Sequence, residues 1–206
     1  MKITMENLEQ ALDSLRGWDY IGLDSEGFGV DFDDRLFALS FATMTKSYYF
    51  NFFGGVDYLG NYTPSEYVLP YDVLKELAPV FYNPKTTWFI HNASYDTQKL
   101  LLEGVEIFGD VICTKNSERI LRNNLGPKDY SLSKCAERRG LNKLDIVEEC
   151  ITQNRLYTMV ETPGKKTKTK RKHFEKVPFE LLAEYAEVDA ELHLKIGLSQ
   201  REELYG

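Results

Sequence analysis

The sequence predicts an α/β fold in which a mixed sheet is flanked by helices. Three observations predict it: apolar strand-like runs come first, helical patterns then alternate with one further strand, and a long amphipathic helix closes the chain. With 206 residues, 43% hydrophobic and 28% charged, the chain can build a substantial core and is too apolar for disorder. A single domain over residues 1–206 is expected.

Leu8, Ala11, Leu12 and Leu15 repeat at helical spacing between Met5 and Leu15, and Gly17 stops that helix. Trp18 to Leu23 reads as a strand. Leu36 to Thr43 and Ser47 to Phe53, rich in aromatic and branched residues, flank the short polar piece Met44 to Lys46 and read as a hairpin, so the first three strands should be antiparallel neighbours. A loop rich in Gly, Asn, Tyr and Pro (54–70) leads to a helix at about Tyr71 to Tyr82, and Thr86 to His91 forms a buried strand. Asn92 or Ser94 is placed to cap the helix that follows. From Asp110 to Asn154 the pattern is mainly helical, with breaks at Gly126-Pro127 and Gly140. The nearly apolar-free tract that follows, at about 162–173, reads as an exposed, mobile basic loop. The last long helix starts near Pro178, a residue suited to a first turn.

Charge and cysteine usage narrow the function classes. The whole chain carries −7, but residues 165–173 hold six Lys or Arg, so the remainder carries −13. An acidic body with one basic arm suits a protein that binds cations centrally and a polyanion at its edge. No apolar run approaches the roughly 20 residues that cross a bilayer, and MKITMENLEQ resembles neither a signal nor a transit peptide, so no membrane partner is expected. Cys113, Cys135 and Cys150 are odd in number and lack CxxC spacing, which suggests neither a disulfide framework nor a cysteine zinc site and points to a reducing cytoplasm.

Three constellations carry chemistry. Asp24 and Glu26 follow the apolar run Ile21-Gly22-Leu23, and side chains two apart on a strand share a face, so two carboxylates stand together where a cation would relieve their repulsion. The bland alternative is a solvated turn. Asn92 and Asp96 stand four apart where a strand meets a helix; they either face one cleft or serve as helix cap and first-turn acid. His91 has no second histidine at a metal-site spacing and is expected to pack or hydrogen-bond at the strand end. Positions 182, 185, 189, 192 and 196 trace one helical stripe that is apolar or aromatic except for Asp189. A buried lone carboxylate costs several kcal/mol, so Asp189 needs a cation or a strong donor. Tyr185, one turn earlier, either brings a hydroxyl to the same place or is one more core aromatic. Glu184, Glu187 and Glu191 lie off the stripe and read as surface.

Together these motifs, Asp24-x-Glu26, Asn92-xxx-Asp96-xxx-Leu100 and Tyr185-xxx-Asp189, resemble the DEDD family of 3'-5' exonucleases with its ribonuclease H-like fold. A histidine-type member would carry His where this chain has Glu184, so the match is to the tyrosine subclass. The wording YAEVDAELHLKI and the stretch Ser131 to Arg138 look most like the proofreading domain of family A DNA polymerases, over roughly residues 18–198. The resemblance implies that Asp24, Glu26, Asp96 and Asp189 hold two divalent cations, Mg²⁺ or Mn²⁺, that Tyr185 orients the nucleophile, and that Asn92 contacts the terminal nucleotide. It implies a single-stranded DNA 3' end as substrate and a DNA polymerase, in the same or a separate chain, as partner. The basic tract has no counterpart in those domains; Lys165, Lys166, Lys168, Lys170, Arg171 and Lys172 are expected to hold the strand or else to be a solvated loop. A ribonuclease D-like RNA exonuclease and a catalytically silent nucleic-acid-binding module are the rival readings.

Overall fold

The computed structural model describes residues 1–29, 31, 33–123, 129–161 and 167–206. In chain order the elements are α1 (Leu8–Arg16), β1 (Tyr20–Gly27), β2 (Leu36–Ala42), β3 (Ser47–Asn51), α2 (Val73–Glu76), α3 (Ala78–Phe81), β4 (Thr87–Ile90), α4 (Ser94–Leu102), β5 (Asp110–Cys113), α5 (Thr114–Leu121), α6 (Leu132–Glu137), α7 (Ile146–Gln153), β6 (Tyr157–Val160), β7 (Thr169–Lys172) and α8 (Phe179–Tyr205). A five-stranded mixed sheet in the order β3-β2-β1-β4-β5 forms the centre. Its first three strands are an antiparallel meander, as the hairpin pattern predicts, and β4 and β5 join in parallel.

Both faces of the sheet are covered, which is why all seven residues of β2 are buried. Leu12 and Leu15 of α1 and Phe81 of α3 pack with Ile21, Leu23, Leu39 and Phe41 on one face. Ala190 and Leu194 of α8 pack with Ala42 and Phe89 on the other. Helix α8, about 40 Å long at the usual rise of 1.5 Å per residue, lies close to β1. Gly22 permits this approach: a Cβ there would meet the Ala190 carbonyl oxygen at 2.1 Å. The arrangement is a ribonuclease H-like α/β fold.

Several expectations need correction. The helix expected at 71–82 is two short helices, because Pro79 cannot donate the hydrogen bond that would carry one helix through. Neither Asn92 nor Ser94 caps α4: the N-cap position is Ala93 with no side-chain bond, and Asn92 is held at φ 62° in the left-handed region. Asp110–Cys113 is an edge strand with a half-exposed pattern, too short to show a period. Thr169–Lys172, expected as part of a loop, is strand β7, paired antiparallel with β6 in a two-stranded ribbon. Successive Lys and Arg side chains can stand on a ladder, their long stems lying along neighbouring surface while their heads reach acids. Lys165 and Lys166 lie outside the described residues.

Candidate active site

Asp24 and Glu26 stand on the β1 face that carries Gly22, and so face α8. Glu26 is 7% exposed, and Asp189 and Tyr185, one turn apart on α8, are 4% and 7% exposed. Asp96 enters from the opposite side of the strand. It sits in the first turn of α4, 2% exposed, and its Oδ1 accepts from the Ser25 backbone N–H at 3.0 Å and from Ser25 Oγ at 2.6 Å. The first-turn reading of Asp96 is therefore correct, and its carboxylate is also tied to the strand that carries Asp24.

Burial, ahead of mutual repulsion, disfavours the charged form of these acids. Burial pushes Asp24 up to about 6, against Lys143 and a Ser25 hydrogen bond that pull it down. Glu26 is raised well above the carboxylate range by burial and then by the charges of Asp24 and Asp189, and Asp96 by burial and then Asp24. Asp189 is raised by burial in spite of Lys143. Four hard oxygen ligands whose charges need compensation form the donor set that Mg²⁺ or Mn²⁺ prefers. Asp189 Oδ1 is buried and has no hydrogen-bond partner among the described residues, an unmade interaction that a cation would satisfy. Among the described residues, no three His, Cys, Asp or Glu side chains already converge as a metal cage. Two donors are engaged elsewhere, Asp96 by Ser25 and Asp189 by a lysine.

That lysine is Lys143, which sequence reasoning missed. From the irregular segment between α6 and α7, its Nζ donates to Asp189 Oδ2 and, at 3.0 Å, to the Tyr185 hydroxyl oxygen, and it lies 4.2 Å from the Tyr185 ring centroid. No periodicity flags such a residue. His193 was also missed, although it follows Asp189 by four residues on α8. Its Nδ1 donates to the Leu23 carbonyl at 2.7 Å, its Nε2 stands 3.9 Å from Asp24 Oδ1, and burial pushes its pKa down to about 4, so the ring is neutral. His91 pairs with Thr114 Oγ1 at 2.9 Å, as expected of a strand-end histidine. Asn92 is exposed and accepts from Lys115 Nζ at 3.2 Å.

A cavity of about 330 Å³ opens beside Glu26, lined by Ser25, Tyr95 and Phe174 together with Lys170, Arg171 and Lys172 of β7. A larger hollow of about 550 Å³, between the N-terminus and the start of α8, touches none of the four acids, so of these two it is the smaller that adjoins them, at Glu26. Of the described basic-tract residues, Arg171 pairs with Asp34 at 2.7 Å and Lys172 with Glu148 at 2.6 Å. Lys168 is 3.5 Å from Glu161, and Lys170 lies 4.3 Å from the Tyr157 ring centroid.

A family model described as 3'-5' exonuclease matches residues 3–204. No curated protein matches the chain in sequence. Solved structures with the same fold include the POL domain of Pol1 from M. smegmatis in complex with DNA primer-template and dNTP, 14% identical with a TM-score of 0.60. Escherichia coli RNase D is 17% identical with a TM-score of 0.62, and Trypanosoma brucei RNase D in complex with RNA U12 is 18% identical with a TM-score of 0.64. These alignments cover 96%, 97% and 98% of this chain, and 26%, 43% and 60% of theirs. The chain thus spans a quarter to three fifths of the length of these structures.

Proposed function

The chain belongs to the 3'-5' exonuclease family, a nuclease family of the DEDD superfamily acting on 3' ends with divalent metal ions, and we propose that it removes nucleotides singly through Asp24, Glu26, Asp96 and Asp189. The observation that carries this reading is that Asp24 and Glu26 on β1 face the helix that carries Asp189, whose buried Oδ1 has no hydrogen-bond partner among the described residues. Two ions, Mg²⁺ or Mn²⁺, would be held by these four carboxylates and would activate water and stabilise the departing 3' oxygen. Tyr185 fits the tyrosine subclass. With its oxygen accepting from Lys143, its own O–H is free to donate to the nucleophile or the phosphate, which is an orienting role. Asn92 contacts the terminal nucleotide, and Lys168 and Lys170, with Lys165 and Lys166, attract the strand behind it.

For strand chemistry, RNA is the better supported reading, because solved neighbours from two organisms are named RNase D and one holds RNA. DNA, in a proofreading role beside a polymerase in the same or another chain, is the second reading, favoured by the Pol1 structure. The three free cysteines suit a reducing cytoplasm. Wild-type and Asp24→Ala proteins incubated with 5'-labelled RNA and DNA of one sequence test both readings. A metal-dependent ladder shortening from the 3' end, absent in Asp24→Ala, is expected, faster on RNA. Internal cleavage, or a ladder that survives Asp24→Ala, overturns the assignment.

A further inference from the structure

The ribbon β6-β7 forms one wall of the cavity beside Glu26, and Arg171 fastens it. Arg171 Nη2 donates to Asp34 Oδ1 at 2.7 Å and to the Phe28 carbonyl at 3.3 Å, and its Nη1 lies 3.7 Å from Asp31 Oδ2. These acceptors lie in the segment joining β1 to β2. The segment is itself pinned by Lys99, 1% exposed, whose Nζ donates to the Asp31 carbonyl at 2.7 Å and the Asp34 carbonyl at 2.6 Å. Gly29 makes the close pairing possible: a Cβ there would lie 2.1 Å from Asp34 Oδ2 and 2.7 Å from Arg171 Nη2. The guanidinium that the charge pattern assigned to phosphate is thus engaged within the protein.

The cavity so enclosed, about 330 Å³, is at the small end of the range of roughly 300–1,000 Å³ for ligand sites. It offers room for one unpaired nucleotide next to Glu26, and a base-paired end would have to displace the ribbon. We propose that the Asp34–Arg171 ion pair is a latch that holds the ribbon as the outer wall of the substrate cavity and thereby makes the site select unpaired 3' ends. The proposal rests on the exonuclease reading and adds to it the residues that set specificity. The pair acts through the wall and leaves the acids in place.

The test measures equilibrium binding, in EDTA, of a fluorescein-labelled single strand and of a blunt-ended hairpin sharing its 3' sequence. The proteins compared are wild type, Arg171→Ala, Asp34→Ala, the double variant, and the swapped pair Asp34→Lys with Arg171→Glu. Each single variant should shift the affinity ratio toward the hairpin by about fivefold, the upper end for an ion pair that solvent still reaches. The double variant should shift it no further, because one interaction is removed in all three, and the swapped pair should restore the wild-type ratio. An unchanged ratio in both single variants, multiplying effects in the double, or a loss confined to single-strand binding in Arg171→Ala would overturn the latch. Nucleotide release by the wild-type protein is measured alongside: its absence refutes the exonuclease reading, while the binding ratio still decides the latch.

Discussion

The ammonium of Lys143 rests on the carboxylate of Asp189, 46 residues away in sequence, and occupies one of the oxygens that the proposed metal site needs. The ion must therefore compete with a charge already in place. Contacting unit charges at an effective dielectric of about 20 exchange several kcal/mol, and a flexible lysine that swings aside recovers most of that. Lys143→Met should tighten Mn²⁺ binding on the order of tenfold, read by calorimetric titration. Weaker binding would mean that Lys143 assembles the site instead of contesting it.

The raised pKa of Asp24 gives the metal-free protein an inverted pH response. Its folded value of about 6 lies above the unfolded value of 3.8, so folding favours the protonated form. The charged carboxylate costs stability above pH 6, and that cost disappears as pH falls from about 6 to about 4. In EDTA, the melting temperature of wild type relative to Asp24→Asn should rise between pH 7.5 and pH 5. A difference that stays constant across this window would show that Asp24 titrates normally.

Binding to the folded state alone adds stability by mass action, so Mg²⁺ or Mn²⁺ should raise the melting temperature of wild type. Asp24→Ala, with the site dismantled, should respond much less. Equal shifts in the two proteins would place the ions elsewhere.

Tyr185→Phe separates orientation from ion binding. The ring remains beside Phe174, at 6.4 Å between centroids, and only the hydroxyl is lost. Turnover at saturating metal should fall about 10²-fold, the lower range for a positioned proton-handling group, with metal affinity nearly unchanged. Full activity in single-turnover release would reduce Tyr185 to packing.

What was legible in the sequence obeyed a local period. Asp24 and Glu26 were readable because period 2 puts them on one face, and Tyr185 with Asp189 because period 3.6 does the same on α8. The β2–β3 hairpin was readable from two apolar runs around a short polar piece. The tie between Asp96 and Ser25 spans 71 residues and leaves no trace in either local pattern. Lys143 belongs to no regular element, so only the tertiary fold brings it to Asp189. The four-residue strands β5, β6 and β7 are too short to carry a period, and the basic composition of β7 concealed its ladder. His193 was within reach, one turn past Asp189, but a lone histidine among leucines reads first as core.

The ribbon also divides the basic tract into residues that can and cannot serve a polyanion. Arg171 and Lys172 are paired with Asp34 and Glu148, whereas Lys168 is more than half exposed, its contact to Glu161 a longer one of 3.5 Å to a still more exposed acid, and Lys170 rests on an aromatic ring. A phosphate contact on single strands contributes a slope of about −0.7 to log affinity against log salt. Replacing Lys168 and Lys170 by Gln should therefore flatten the salt dependence of single-strand binding by about 1.4, two contacts' worth. Replacing Lys172 by Gln should leave the slope as it is, because its charge already belongs to Glu148. Turnover at saturating substrate should change little in either protein, since neither removes a carboxylate of the site. Dissociation constants across a salt series decide the matter: equal slopes for wild type and the Lys168, Lys170 variant would mean that the strand does not follow the ribbon.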